Sequence, residues 1–189
     1  MRTTLLLAGV AALFAVNANA AEIKPYVGLD YVYSMADIDK TDGMEAFEED
    51  LNAFAISAGA KLHKNFGVEA FYQQSEEGEK KFSNCKTTNE YKAYGVDLIG
   101  YLPVGSDEKL ELLGSVGAGY YDADVKVNVY NPPVQVSADD QGLGLRFGIG
   151  AQYNFTQNWG ARVMARYVDT DIDGMDNMVD LTAGIRYTF

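Results

Sequence analysis

Bases, cysteine, histidine and proline are all scarce in this sequence, and each shortage excludes something. Fifteen Lys and Arg stand against 27 Asp and Glu, for a net charge of −12. So acidic a chain does not suit nucleic acid, which is bound through a basic face. The one cysteine, Cys85, cannot form an internal disulfide. The sequence predicts a spectator thiol in a loop, with pairing to a second molecule as the sharper alternative. The one histidine, His63, is the single candidate base for any Ser-His-acid arrangement. Beyond residue 20 there is no long unbroken apolar run, and hence no membrane-spanning helix. Four prolines among 19 glycines, 13 tyrosines and nine phenylalanines favour strands and turns over helices.

The first twenty residues have a different character. Arg2 gives a positive start, residues 5–16 form an apolar core too short to span a bilayer, and Ala18-Asn19-Ala20 is an A-x-A cleavage pattern. These predict a secretory signal peptide over residues 1–20 and a single mature domain over 21–189, beginning at Ala21. No cysteine sits at the cut, which argues against a lipoprotein anchor.

The last eleven residues show how the rest is built. Val179, Leu181, Ala183, Ile185, Tyr187 and Phe189 are apolar, while Asp180, Thr182, Gly184, Arg186 and Thr188 between them are polar or small. A strand sends alternate side chains to opposite faces, so one face is greasy and the other is not. The length is that of a tilted strand crossing a bilayer, about 9–11 residues. The same alternation recurs and predicts eight strands, over residues 24–35, 51–63, 66–74, 90–104, 110–121, 141–155, 159–168 and 179–189. Their connections alternate between short turns and long polar loops, the long ones over residues 37–50, 75–89, 122–140 and 169–178. That rhythm is an up-and-down meander, and the fold class it predicts is an all-β, eight-stranded antiparallel barrel.

A soluble barrel with a greasy interior has the same alternation. Its outer face would be dense with Lys, Glu and Thr. Here the polar face is rich in Gly, Ala and Ser, and its few charges nearly balance. Lys24, Lys61, Arg146, Arg162, Arg166 and Arg186 stand against Asp30, Glu69, Asp97, Glu111 and Asp180. Balance is what a buried network of ion pairs requires. The greasy face carries aromatics near the strand ends. Tyr153, Phe155, Trp159, Tyr187 and Phe189 fall at the short-turn end, and Tyr31, Tyr72, Tyr120 and Tyr167 toward the loops. That is the double girdle of a barrel that spans a membrane, and only a closed barrel satisfies strand backbone in lipid.

The signal peptide, the eight alternating strands and the ending Gly184-Ile185-Arg186-Tyr187-Thr188-Phe189 together resemble the opacity-protein and OmpA-type outer-membrane β-barrel family, over the whole mature chain. The resemblance implies a location in the bacterial outer membrane, with outer-membrane lipid and lipopolysaccharide as its surroundings. It implies no function by itself. No periplasmic peptidoglycan-binding domain is expected after the barrel, unlike full-length OmpA.

Four roles fit. The first is a structural or surface-interaction protein, non-catalytic, with its lumen plugged by ion pairs and a cell-surface or host partner for its acidic loops. The second is a narrow porin-like channel, for which Gly117, Gly119, Gly144, Gly148 and Gly150 on the inner face would leave room for water. The third is a lipid-modifying enzyme, as some small barrels of this architecture are. His63 lies beside the short turn Lys64-Asn65, at the wrong end for that chemistry, and is expected to be a polar turn residue. The fourth is a soluble ligand-binding barrel. No cofactor is expected beyond loop-bound calcium. Residues 169–174 match the D-x-D-x-D-G start of a calcium loop through Asp169, Asp171 and Asp173, with Asp180 at the twelfth place. Flanking helices are absent and the last ligand is not Glu, so a solvated acidic loop is the competing expectation.

Overall fold

The computed structural model describes residues 23–38, 50–81, 85–130, 133–172 and 175–189. The predicted signal peptide, most of the first acidic loop with Lys40, and Asp173 lie outside the described residues, as does the side chain of Cys85.

Every element among the described residues is a strand. In chain order they are β1 (Lys24–Ile38), β2 (Asp50–His63), β3 (Phe66–Ser75), β4 (Gly78–Lys81), β5 (Cys85–Val104), β6 (Leu110–Tyr130), β7 (Pro133–Asn154), β8 (Trp159–Ile172) and β9 (Met175–Thr188). All neighbours pair antiparallel, in the order β3-β2-β1-β9-β8-β7-β6-β5-β4, and β3 also pairs with β5. That last pairing closes the sheet on itself. β3 and β4 run along the same partner, through Gln74↔Lys92 and then Gly78↔Asn89. They are one strand broken at Glu76 and Glu77, and the ring is an eight-stranded barrel.

The short-turn end agrees with the sequence pattern. Chain reversals fall at residues 64–65, 105–109 and 155–158. The other end departs from it. Residues 78–81 and 85–89, and nearly all of 122–140, are strand rather than loop, and β8 runs on to Ile172 before β9 begins at Met175. Val125 and Val127 pair with Ala138 and Val136 far beyond the membrane-crossing length. Pro133, inside the predicted loop 122–140, is the first residue of β7, where a missing N–H does least harm. The reason for the difference is physical. Outside a bilayer a ribbon has no lipid face, so it needs no greasy alternation, and alternation was the signal that defined the strands.

The greasy face points outward. Leu29, Ile56, Val96, Leu98, Leu145, Val163, Leu181 and Ile185 are all exposed, and Ile149 is 73% exposed. A water-soluble monomer does not present so continuous an apolar belt. The polar face points inward, where Arg162 is only 2% exposed.

Candidate functional site: the lumen and its two ends

The inward positions form layers. At mid-height Arg162 on β8 donates to the Glu69 carboxylate on β3 at 2.7 Å and, through Nε, to Gln152 Oε1 at 3.0 Å. Arg186 on β9 grips Asp30 on β1 with two parallel bonds of 2.9 Å each. Its Nε also lies 3.6 Å from Glu69. Arg166 lies 3.9 Å from Glu69 and 3.7 Å from Asp97, and Arg146 completes the group 3.7 Å from Asp97. The Arg146 guanidinium also stacks on the Phe71 ring at 3.6 Å. Four arginines from β7, β8 and β9 thus meet three carboxylates from β1, β3 and β5 across the barrel axis. All seven are buried.

The inward glycines make this possible. A Cβ at Gly28 would overlap the Arg186 guanidinium, and one at Gly148 would overlap Arg166 and Ser115. The space beside Gly144 is held by Tyr121, that beside Gly117 by Asp97, that beside Gly119 by Phe71 and that beside Gly150 by Met164. The space beside each of these glycines is thus held by neighbouring side chains. A void of about 10 Å³ remains against Arg146, Arg166 and Ser57, close to the size of one water.

Four of the predicted lumen charges, Asp180, Lys61, Glu111 and Lys24, are placed differently from the rest. Asp180 meets neutral groups and not an arginine. It accepts from Ser34 Oγ at 2.6 Å and from Gln73 Nε2 at 3.2 Å, and the Tyr91 hydroxyl ties both donors together. Lys61 pairs with Glu111 nearer the short turns, with its ammonium over the Tyr101 ring. Lys24 is exposed at the mouth, six residues along β1 from Asp30.

Above the ionic layer the lumen turns apolar. Val32, Ala53, Phe71, Tyr91, Tyr121, Val168 and Met178 pack together there. This layer does not stand out in the sequence, because Tyr91, Tyr121 and Val168 sit on an otherwise polar face. Parity was the available signal: each is an even number of residues from a lumen charge, Asp97, Glu111 and Arg166 respectively.

At the short-turn end the lumen opens into a vestibule of about 860 Å³. Around its rim the aromatics form a contiguous group. Trp159 and Tyr187 meet edge-on at 4.9 Å, and Tyr187 and Phe189 at 5.1 Å. Phe189 is held by its own N–H, which donates to the Pro25 carbonyl at 3.0 Å. Tyr153 and Phe155 are exposed on the same end. His63 stacks on Phe66 and takes the Asn65 N–H at Nδ1, 3.3 Å away, as a turn residue does. Asp169 and Asp171 are exposed at the far end of β8. No group of three His, Cys, Asp or Glu able to hold a metal occurs among the described residues.

A closed antiparallel ring with an apolar exterior, aromatic ends and a charged interior defines a transmembrane outer-membrane β-barrel. The chain matches the outer membrane protein beta-barrel domain family over residues 5–189 and belongs to that family. It is 25% identical to outer membrane protein A of Serratia marcescens over 137 residues, 69% of this chain, and spans 37% of that relative's length. Its fold is similar to that of Ail, the attachment invasion locus protein of Yersinia pestis. That match has a TM-score of 0.61 at 19% identity, over 89% of this chain and 99% of Ail, which was solved with the heparin analogue sucrose octasulfate. Neisserial surface protein A is similar at a TM-score of 0.63 and 18% identity, over 87% of this chain and 97% of the other. The chain is a protein of the bacterial outer membrane. In such barrels the short turns are periplasmic and the long connections extracellular.

Proposed function

We propose that this protein is a non-catalytic, non-conducting surface barrel whose interactions are made by the ribbons that stand outside the membrane. The observation that carries this is the connected layer of four arginines and three carboxylates across the lumen. With the axis obstructed there, the feature that reaches farthest beyond the membrane is the extracellular ribbon. β6 and β7 are 21 and 22 residues long, about twice what a bilayer crossing takes.

The charge of that ribbon selects a partner class. Its membrane-proximal outer face carries Glu90, Asp122, Asp124 and Asp139 against Lys92 and Lys126. Such a surface attracts a cationic partner and repels a sulfated polyanion of the kind bound to Ail. Around it, lipopolysaccharide supplies the lipid setting. To test this, residues 124–139 are replaced by a two-residue turn and binding of labelled polylysine and heparin to vesicles bearing each protein is compared. Polylysine should bind the parent and lose most of that binding in the shortened form, and heparin should bind neither. Equal polylysine binding by both proteins would remove the ribbon from the function.

A further inference from the structure

The charge of this acidic chain is not spread evenly. The periplasmic vestibule is lined by Lys24, Lys61, Lys64, Lys109, Arg162 and Arg186, against Asp107, Glu108 and Glu111. Part of this cationic charge is already matched: Arg162 and Arg186 face Glu69 and Asp30, and Lys61 faces Glu111. Lys64 and Lys109 have no such partner among the described residues. They come from two different turns and both reach the rim. At the inner end Arg186 Nε is buried without a hydrogen bond, its nearest carboxylate, that of Glu69, being 3.6 Å away. Between rim and floor the wall is polar, with the Tyr26 and Tyr101 hydroxyls 3.2 Å apart. The volume of about 860 Å³ falls in the range of small-molecule pockets.

We propose that this vestibule binds a soluble periplasmic anion carrying two or more carboxylate or phosphate groups. One anionic group meets Lys64 and Lys109 at the rim, and another reaches the arginine floor. Bonds from an ammonium or guanidinium to an oxyanion are the stronger class, and a recessed cavity concentrates the field of its charges. A single small anion cannot engage both ends, so multiple charge is what the arrangement favours. Asp107 and Glu108, on the same turn as Lys109, oppose an anion at the rim. The site therefore has residues whose removal should weaken binding and residues whose removal should tighten it. The inference does not depend on whether the barrel conducts.

The test uses the refolded full chain in phosphatidylcholine nanodiscs, titrated calorimetrically with pyrophosphate and with citrate at constant ionic strength. Saturable one-to-one binding is expected. Lys64→Ala with Lys109→Ala should weaken it at least about tenfold, the loss of one charge-assisted hydrogen bond. Asp107→Asn with Glu108→Gln should tighten it. Lys92→Ala with Lys126→Ala, on the extracellular side, should leave it unchanged. All three pairs of positions lie outside the buried layer, and the gel mobility shift on heating checks that each variant is folded. A heat that vanishes when ionic strength is matched overturns the proposal, as does equal binding by the parent and both vestibule variants. Replacing phosphatidylcholine by phosphatidylglycerol should leave the soluble anion bound. If it abolishes binding instead, the occupant is a lipid headgroup and the proposal fails.

Discussion

The membrane-embedded lumen and the extracellular ribbon are built from the same strands but keep their charges in opposite ways. In the lumen each buried carboxylate of the central layer has at least one arginine within 4 Å, and the strands' registers bring residues far apart in sequence together. In the ribbon Glu90, Asp124 and Asp139 stand directly opposite one another across β5, β6 and β7, three like charges in one rung. Among the described residues they are relieved by long contacts, Lys92 to Asp124 at 3.7 Å and Lys126 to Glu90 at 3.9 Å. Water makes the difference. A buried ion left alone is very costly, so each buried lumen charge is matched by an opposite one or, as at Asp180, held by neutral hydrogen-bond donors. An exposed pair contributes little and an exposed mismatch costs little, so the ribbon's charges are free to serve recognition. The lumen specifies one structure; the ribbon presents a surface.

The largest effect should follow from breaking the central layer. Arg162→Ala leaves Glu69 without its shortest partner and should lower stability by about 3–5 kcal/mol, read as the urea midpoint of the refolded barrel. Lys92→Ala in the ribbon should cost at most about 1 kcal/mol. Equal midpoints would mean that the lumen is wet and its pairs screened.

Glycine gives a smaller contrast between the inside and the lipid face. A Cβ at Gly184 would run into the Leu29 carbonyl and Asp30, whereas one at Gly114 meets nothing within 4 Å. Gly184→Ala should therefore destabilise by about 1–3 kcal/mol, as overpacking does. Gly114→Ala should be neutral or stabilise by roughly 0.4–1 kcal/mol. Thermal melts that rank the two the other way would contradict the packing of the lumen.

At the periplasmic rim, Phe189→Ala removes one edge-on ring contact, an effect of about 0.5–1.5 kcal/mol beyond area. It should also lower the yield of heat-modifiable barrel in outer membranes; an unchanged yield would leave Phe189 an ornament of the terminus. The smallest effect belongs to the ribbon. Asp139→Lys sets opposite charges face to face with Asp124 and should stabilise by about 0.2–1 kcal/mol, more at low salt than at high. No dependence on salt would mean that this rung is not held in register.

The sequence made the barrel legible because lipid imposes a strict rule on it. From Val179 to Ile185 the last strand obeys the alternation, with apolar residues outward and Asp180, Thr182 and Gly184 between them. The arginine set was legible for the same reason, since Arg146, Arg162, Arg166 and Arg186 share a face with Gly144, Gly160 and Gly184. Which carboxylate each arginine meets was not, because pairing depends on shear and register around the whole ring. Asp180 shows the limit: nothing in its neighbours foretold Ser34, Gln73 and Tyr91 as its partners. The ribbon was missed because it obeys no lipid rule, and the apolar upper layer because Tyr91 and Tyr121 look amphipathic in any one strand. The vestibule needed three turns brought together, which only the closed ring does.

The most direct test of the lumen's role is single-channel recording of the refolded protein in planar bilayers. A layer of matched arginines and carboxylates across the axis predicts a flat current trace, without stable unitary steps. Sustained steps of ionic size in the parent protein would contradict it and make the barrel a narrow channel.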